Sequence, residues 1–334
     1  MGRHPARVVL TSATLLALVA SRPSAAQAGT QAATRAAAPA PAAVQAQHRA
    51  ILRSKLRRAL VQVADSFPGV LGVETIDLAD GSRVGVNDTL VFPQGSAIKV
   101  PILLELFRRA ESRPGYLRER RAVPAAAHVG GSGVLTYFGD GGSELALEDL
   151  AVLMIALSDN TAANVLIDEL GPGAVNETVA RLGLTRTRLQ RKMMRPELSA
   201  RGDENVSTPA EAAALMARVA RCDLPVSAAA CARLRAILEI PKEGDAVRAV
   251  VPDSIKVASK PGDLEGVGTV WALVDLPDRP YVVTIMATYG AGDVGATLRR
   301  VAALTHEHFA SLARATAYGV RVPPSALRER PPTP

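Results

Sequence analysis

The sequence predicts an α+β protein in which one antiparallel sheet is assembled from both ends of the chain and a helical segment is inserted between them. Three observations predict it. Strand-like runs cluster near the start and again near the end. The stretch between them, about 96 to 240, is patterned with helical periodicity. An amphipathic helix at 48–66 and a final helix at about 295–314 flank the two ends.

The 334 residues are 48% apolar and 21% charged, enough for a large core. From 48 to 66 (HRAILRSKLRRALVQVADS), Ile51, Leu52, Leu56, Leu60 and Val63 are placed on one side of a helix. Strands follow at Val70 to Leu78 and Arg83 to Val86, around the turn Ala79-Asp80-Gly81-Ser82. Within the insert, Thr208-Pro209-Ala210-Glu211 reads as a capping box with Pro at the first helical position. Gly171 and Gly183 stand where helices end. The remaining strands are Ile255 to Ala258, Gly268 to Leu276 and Tyr281 to Thr288, with Pro277-Asp278 as a turn.

Outside this domain, assigned to 48–315, the chain changes character. Residues 1–28 read as a secretory signal: Arg3, His4 and Arg7, then an apolar run from Val8 to Ala20, then the small-residue site Ala26-Gln27-Ala28. The apolar run is short for a membrane span, so a periplasmic or secreted protein is expected, with an uncleaved anchor as the competing reading. Residues 29–47 are an Ala/Pro-rich spacer, and 316–334 a Pro-rich tail. Cys222 and Cys231 are the only cysteines, and either a disulfide or two buried thiols fits them.

The net charge of +7 raises the question of nucleic acid. The arginines are scattered and no basic run is interleaved with aromatics, so a solvated basic surface is the reading and no nucleic-acid partner is expected. Gly290-Ala291-Gly292-Asp293-Val294-Gly295 resembles a dinucleotide fingerprint, but no later strand completes the unit. His306-Glu307-His308 has a spacing that splays the rings on a helix. No cofactor and no metal are expected, and nothing demands a second chain, so the reading is a monomer.

Three short motifs carry chemistry. Ser96-Ala97-Ile98-Lys99 opens an apolar helix, which places Ser96 and Lys99 one turn apart on the same face. A serine hydroxyl needs a base, and a lysine desolvated at an apolar helix start can serve as one. Backbone N–H groups there can stabilise an oxyanion. Ser158-Asp159-Asn160 breaks two apolar helices, where Ser158 can relay a proton and Asn160 can hold a substrate carbonyl. Lys260-Pro261-Gly262 follows a strand, giving a cation for a substrate carboxylate and a glycine, Gly262, for close approach.

In this order and context, Ser-x-x-Lys, Ser-Asp-Asn and Lys-x-Gly resemble the signature of class A β-lactamases and penicillin-binding proteins. The wording of Ser158 to Asn164, the Gly171 to Gly183 helix and Gly202-Asp203-Glu204-Asn205 with Thr208-Pro209 is similar to class A specifically. The resemblance implies an α/β/α sandwich with a five-stranded antiparallel sheet beside an all-helical lobe. It implies Ser96 as the acylated nucleophile, Lys99 as its base, Ser158 as proton shuttle, Asn160 as substrate-amide ligand and Lys260 as carboxylate ligand. The substrate would be a β-lactam or a peptidoglycan-like amide.

Two departures bear on turnover. Pro196-Glu197-Leu198 aligns with the family's Pro-Glu-Leu, which puts Arg195 where the water-activating Glu belongs and Ser199 where an Asn belongs. A guanidinium cannot act as a base. Glu197 can substitute only if the loop shifts; otherwise it is a solvated carboxylate. Pro261 also replaces the Thr of Lys-Thr-Gly. The expectation is acylation followed by slow deacylation. The alternatives are a D-Ala-D-Ala carboxypeptidase or transpeptidase using the same residues, and a binding module that kept the fold and lost turnover.

Overall fold

The computed structural model describes residues 41–139, 143–316 and 318–321. The signal segment at 1–28 and the spacer up to residue 40 lie outside the described residues, as does the tail from 322.

Helix α1 (Pro41–Ser66) starts within the expected spacer, because Pro41 and the Ala/Gln residues after it are favourable at a helix start. Leu56 and Leu60 are buried, whereas Ile51 is 48% exposed. At 100° per residue Ile51 lies opposite Leu60, so the expected stripe is narrower than drawn. Strands β1 (Val70–Asp77) and β2 (Arg83–Val86) form the expected hairpin. The chain then runs through β3 (Phe92–Pro93), a 3-10 turn (Gly95–Ile98) and α2 (Lys99–Glu111).

The insert continues with β4 (Arg120–Val123), β5 (Ser143–Ala146), α3 (Leu147–Ala156), α4 (Asn160–Leu170), α5 (Pro172–Arg181) and α6 (Pro196–Ser199). It ends with β6 (Val206–Ser207), α7 (Pro209–Arg221) and α8 (Ala228–Glu239). The insert is therefore not all-helical: β4 pairs with β5, and β6 reaches back to β3. Thr208 caps α7 by accepting from the Glu211 amide, as expected. Glu211 does not return the bond; its carboxylate takes the amides of Arg186 and Thr187 and fastens that loop instead.

The chain closes with β7 (Val257–Leu264), β8 (Val267–Val274), β9 (Tyr281–Thr288) and α9 (Val294–Ala313). Beyond α9, Ala315 and Val320 form an isolated antiparallel bridge, so the first tail residues turn back on the chain. The sheet order is β2-β1-β9-β8-β7, antiparallel throughout. One face packs with α1 and α9 around Val73, Val283 and Phe309. The other packs with the insert around Phe92, Trp271, Met286 and the helix α2. Both faces are covered, which is why β1, β8 and β9 are buried almost end to end.

Strand β7 is the correction with most consequence for the site. The sequence ends it at Ala258, but it runs six residues further, so Lys260-Pro261-Gly262 lies within the strand rather than after it. Pro261 is accommodated because β7 is an edge strand.

Cys222, the C-cap of α7, is disulfide-bonded to Cys231 on α8. The bridge closes a short loop, worth about 2–3 kcal/mol in the chain-entropy model. Reduction is expected to lower stability by about that much in a denaturant titration; an unchanged midpoint would show the bridge is not stabilising.

Candidate active site

The 3-10 turn that carries Ser96 is fixed from below by Gln94. Trp271 Nε1 donates to Gln94 Oε1 (2.9 Å) and Thr269 Oγ1 to the Gln94 carbonyl (2.9 Å), so β8 sets the height of the turn. Gly95 has φ +49, and a Cβ there would lie 2.9 Å from the Asp263 amide nitrogen. A Cβ on Gly262 would lie 2.6 Å from the amides of Ser96 and Ala97. Gly262 thus serves a close approach, but the approaching backbone is the Ser96 turn. Both glycines let the edge strand press against the nucleophile's own turn.

Lys99 follows one turn later and is fully buried. Its Nζ lies 3.0 Å from Ser96 Oγ, 2.7 Å from the Ser158 carbonyl, 3.2 Å from Ser158 Oγ and 2.9 Å from Asn160 Oδ1. Burial lowers its pKa to about 7, against the opposing pull of the Asp159 and Asp263 charges. A neutral amine has two hydrogens and one lone pair. The Ser158 carbonyl and Asn160 Oδ1 can only accept, so they take the hydrogens and leave the lone pair for the Ser96 hydroxyl.

The α3–α4 turn is held in a strained shape. Ser158 has φ +53, an uncommon conformation for a non-glycine residue. Asp159 stabilises it by accepting from Ala162 N at the start of α4 (2.9 Å) and from Val134 N (2.7 Å) and Leu135 N (2.9 Å) of the neighbouring loop. Asn160 donates through Nδ2 to the Gly130 carbonyl (3.1 Å), which leaves one amide hydrogen for another acceptor. Lys260, also buried, donates to Ser158 Oγ (3.1 Å) and the Pro261 carbonyl (2.9 Å). Burial, reinforced by the Lys99 charge, holds Lys260 well below the usual lysine range. The Ser158 hydroxyl therefore bridges the two lysines.

Five of the expected residues, Ser96, Lys99, Ser158, Asn160 and Lys260, form one continuous polar cluster. Glu197 does not join it. It lies on α6, exposed, with its carboxylate bonded to Arg195 and its pKa lowered first by that bond. Arg195 is equally exposed and is not among the residues lining the cleft beside Ser96. The loop residues that line the cleft beside Ser96 and Asn160 are Met193 and Met194. Asn164 places the first of them: it accepts from Met193 N (2.7 Å) and donates to the Met193 carbonyl (3.2 Å). The Pro-Glu-Leu alignment was therefore two positions out of step with the cleft. Thioethers, rather than a guanidinium, occupy this part of the cleft wall. Glu197→Gln is expected to change hydrolysis by less than about twofold, as for an exposed ion pair. Loss of 10²–10⁴-fold in steady-state assays would restore Glu197 as the base.

Asp263, Gly131, Ser132 and Arg191 also line the cleft and were not anticipated. Arg191 is spent on Glu204 (2.8 Å), which also accepts from Ser199 (2.6 Å) and so ties the two ends of the loop together. Asp263 directly follows Lys260-Pro261-Gly262, and recognising β7 as continuing past Pro261 would have placed it at the cleft.

A serine, a buried lysine and a second serine–lysine pair thus meet between the sheet and the insert. The chain belongs to the beta-lactamase enzyme family, whose profile matches residues 54–309. It is 30% identical to Beta-lactamase 1 of Streptomyces cacaoi over 250 residues, covering 69% of this chain and 74% of that one. It is 34% identical to Beta-lactamase L2 of Stenotrophomonas maltophilia over 155 residues, 45% of this chain and 50% of the relative. The chain thus spans about half the length of L2, and 55% of the Toho-2 β-lactamase of Escherichia coli. Among solved structures, an ancestral class A β-lactamase superposes with TM-score 0.69 at 30% identity, covering 76% of this chain and all of that one. PBP-A superposes with TM-score 0.70 at 26% identity, covering 77% and 96%.

Proposed function

We propose that the protein opens β-lactam amides by acylation of Ser96 and releases the acyl group slowly. The observation that carries this reading is the 3.0 Å contact between Ser96 Oγ and the buried amine of Lys99, whose two shortest other contacts, the Ser158 carbonyl and Asn160 Oδ1, only accept. Neutral Lys99 takes the Ser96 proton as Oγ attacks the lactam carbonyl. The Ser96 amide and the Asp263 amide beside it receive the developing oxyanion. The C–N bond breaks as the leaving nitrogen takes the Ser158 proton, which Lys99 or Lys260 replaces. Asn160 holds the substrate's side-chain amide with its free hydrogen.

Deacylation needs a water and a base, and the loop facing Ser96 supplies Met193 and Met194. A thioether accepts no proton at neutral pH, so this step forgoes the 10²–10⁴-fold that a general base provides. A D-Ala-D-Ala peptidase reading draws on the same residues and on the likeness to PBP-A. The Cys222–Cys231 bridge and the N-terminal signal pattern support export to an oxidising compartment. A nitrocefin time course tests the reading: it should show a burst near one equivalent per protein, then slow turnover, with no burst in Ser96→Ala. Linear fast hydrolysis would remove the slow-release claim. No hydrolysis with cleavage of D-Ala-D-Ala peptides would move the assignment to a peptidase.

A further inference from the structure

We infer that Asp263 makes this cleft select its acyl donors by charge, favouring amides that present a neutral or cationic group against strand β7 over those that present a free carboxylate. The inference rests on the Ser96 acylation reading above and specifies its substrate class.

Asp263 is exposed, lines the cleft with Ser96 and Asn160, and sits on the edge strand that presses against the Ser96 turn. Among the described residues its carboxylate takes part in no ion pair and no side-chain hydrogen bond. The other charges at the cleft are already committed. Arg191 is 8% exposed and bonded to Glu204. Lys99 and Lys260 are at most 1% exposed, and their Nζ atoms are directed to Ser96, Ser158, Asn160 and the Pro261 carbonyl. Among the described residues, Asp263 is therefore the one charged group lining the cleft that is exposed and has no ion-pair partner.

The strand's composition points the same way. Pro261 offers neither hydroxyl nor N–H, so two donors that could hold a carboxylate near Lys260 are missing. The flanks are apolar: Leu264 and Met194 are 38% and 47% exposed beside it. A donor laid along the edge of β7 then meets apolar walls and one carboxylate. At contact distances in partly solvated surroundings, one like or unlike charge shifts association by about tenfold. Asp263 also contributes to the charge balance of both lysines, so removing it should move the acid limb of the rate profile downward in pH.

The test uses benzylpenicillin with its free carboxylate, its methyl amide and its 2-aminoethyl amide at that carboxyl. Second-order rate constants for Ser96 acylation are read by intact-protein mass spectrometry for wild type and Asp263→Asn. Relative to the neutral amide in the same protein, the variant should acylate about tenfold faster with the carboxylate and about tenfold slower with the ammonium. Raising the salt to 1 M should shrink the wild-type differences. Equal shifts for all three probes, or none, would overturn the inference while leaving acylation intact. If no probe acylates Ser96, the functional reading fails separately. Calorimetric binding of the three probes to Ser96→Ala then decides the charge order, and the absence of any order there also overturns the inference.

Discussion

Lys99→Met should lower the rate of Ser96 acylation by about 10³-fold, within the range for losing a general base. The substitution keeps the aliphatic stem and removes the amine that Ser96 Oγ, the Ser158 carbonyl and Asn160 Oδ1 share. Two acceptors are left unpaired, which costs about 1–3 kcal/mol each, while the desolvation of an amine is relieved. Thermal melting should therefore establish that the variant is folded before rates are compared. The pH dependence gives an independent reading. Lys99 acts as a base only when neutral, and its pKa lies at about 7. Wild-type acylation should fall about tenfold per unit as pH drops below about 7 and level off above it. That step should be missing in Lys99→Met. A variant profile with the same inflection would assign the base to another group.

Met193→Glu should shorten the life of the acyl-enzyme by about 10²-fold. Asn164 grips both backbone groups of Met193, so the new side chain must leave from a fixed point beside Ser96. Burial would raise the carboxyl's pKa, so its ionised fraction sets the size of the effect near neutrality. Met193→Gln has the same shape without the basicity and should leave the lifetime unchanged. A Met193→Glu protein that folds, acylates and deacylates no faster would show that a base at this position is not what the cleft lacks.

Much of the site was legible because its residues are local in sequence. Ser96 and Lys99 are one helical turn apart, and the Ser158 to Asn160 break is readable from the apolar helices on either side. The strands of the sheet were legible from alternation and turns, and β2 and β9 lie where the sequence put them. The failures have physical causes. Pro261 reads as a terminator, yet an edge strand tolerates it, so β7 was cut short and Asp263 was lost with it. In the 190s loop Pro196-Glu197-Leu198 is the most legible feature of the sequence, but the loop's position in space is set by Asn164, on a helix about thirty residues earlier. Glu211 was expected to close its own capping box and instead serves a loop that the local pattern does not reveal. Long-range side-chain to backbone bonds of this kind leave no periodic trace.

The central claim is that Ser96 is primed by Lys99 and that nothing in the cleft promptly frees the acyl group. Peptide-mapped mass spectrometry of the intact protein, sampled over time after a single equivalent of benzylpenicillin, tests it most directly. The expected result is one penicilloyl group on the peptide containing Ser96, still present after many times the acylation half-time. Modification of a different residue, or complete product release with no adduct ever seen, would contradict it.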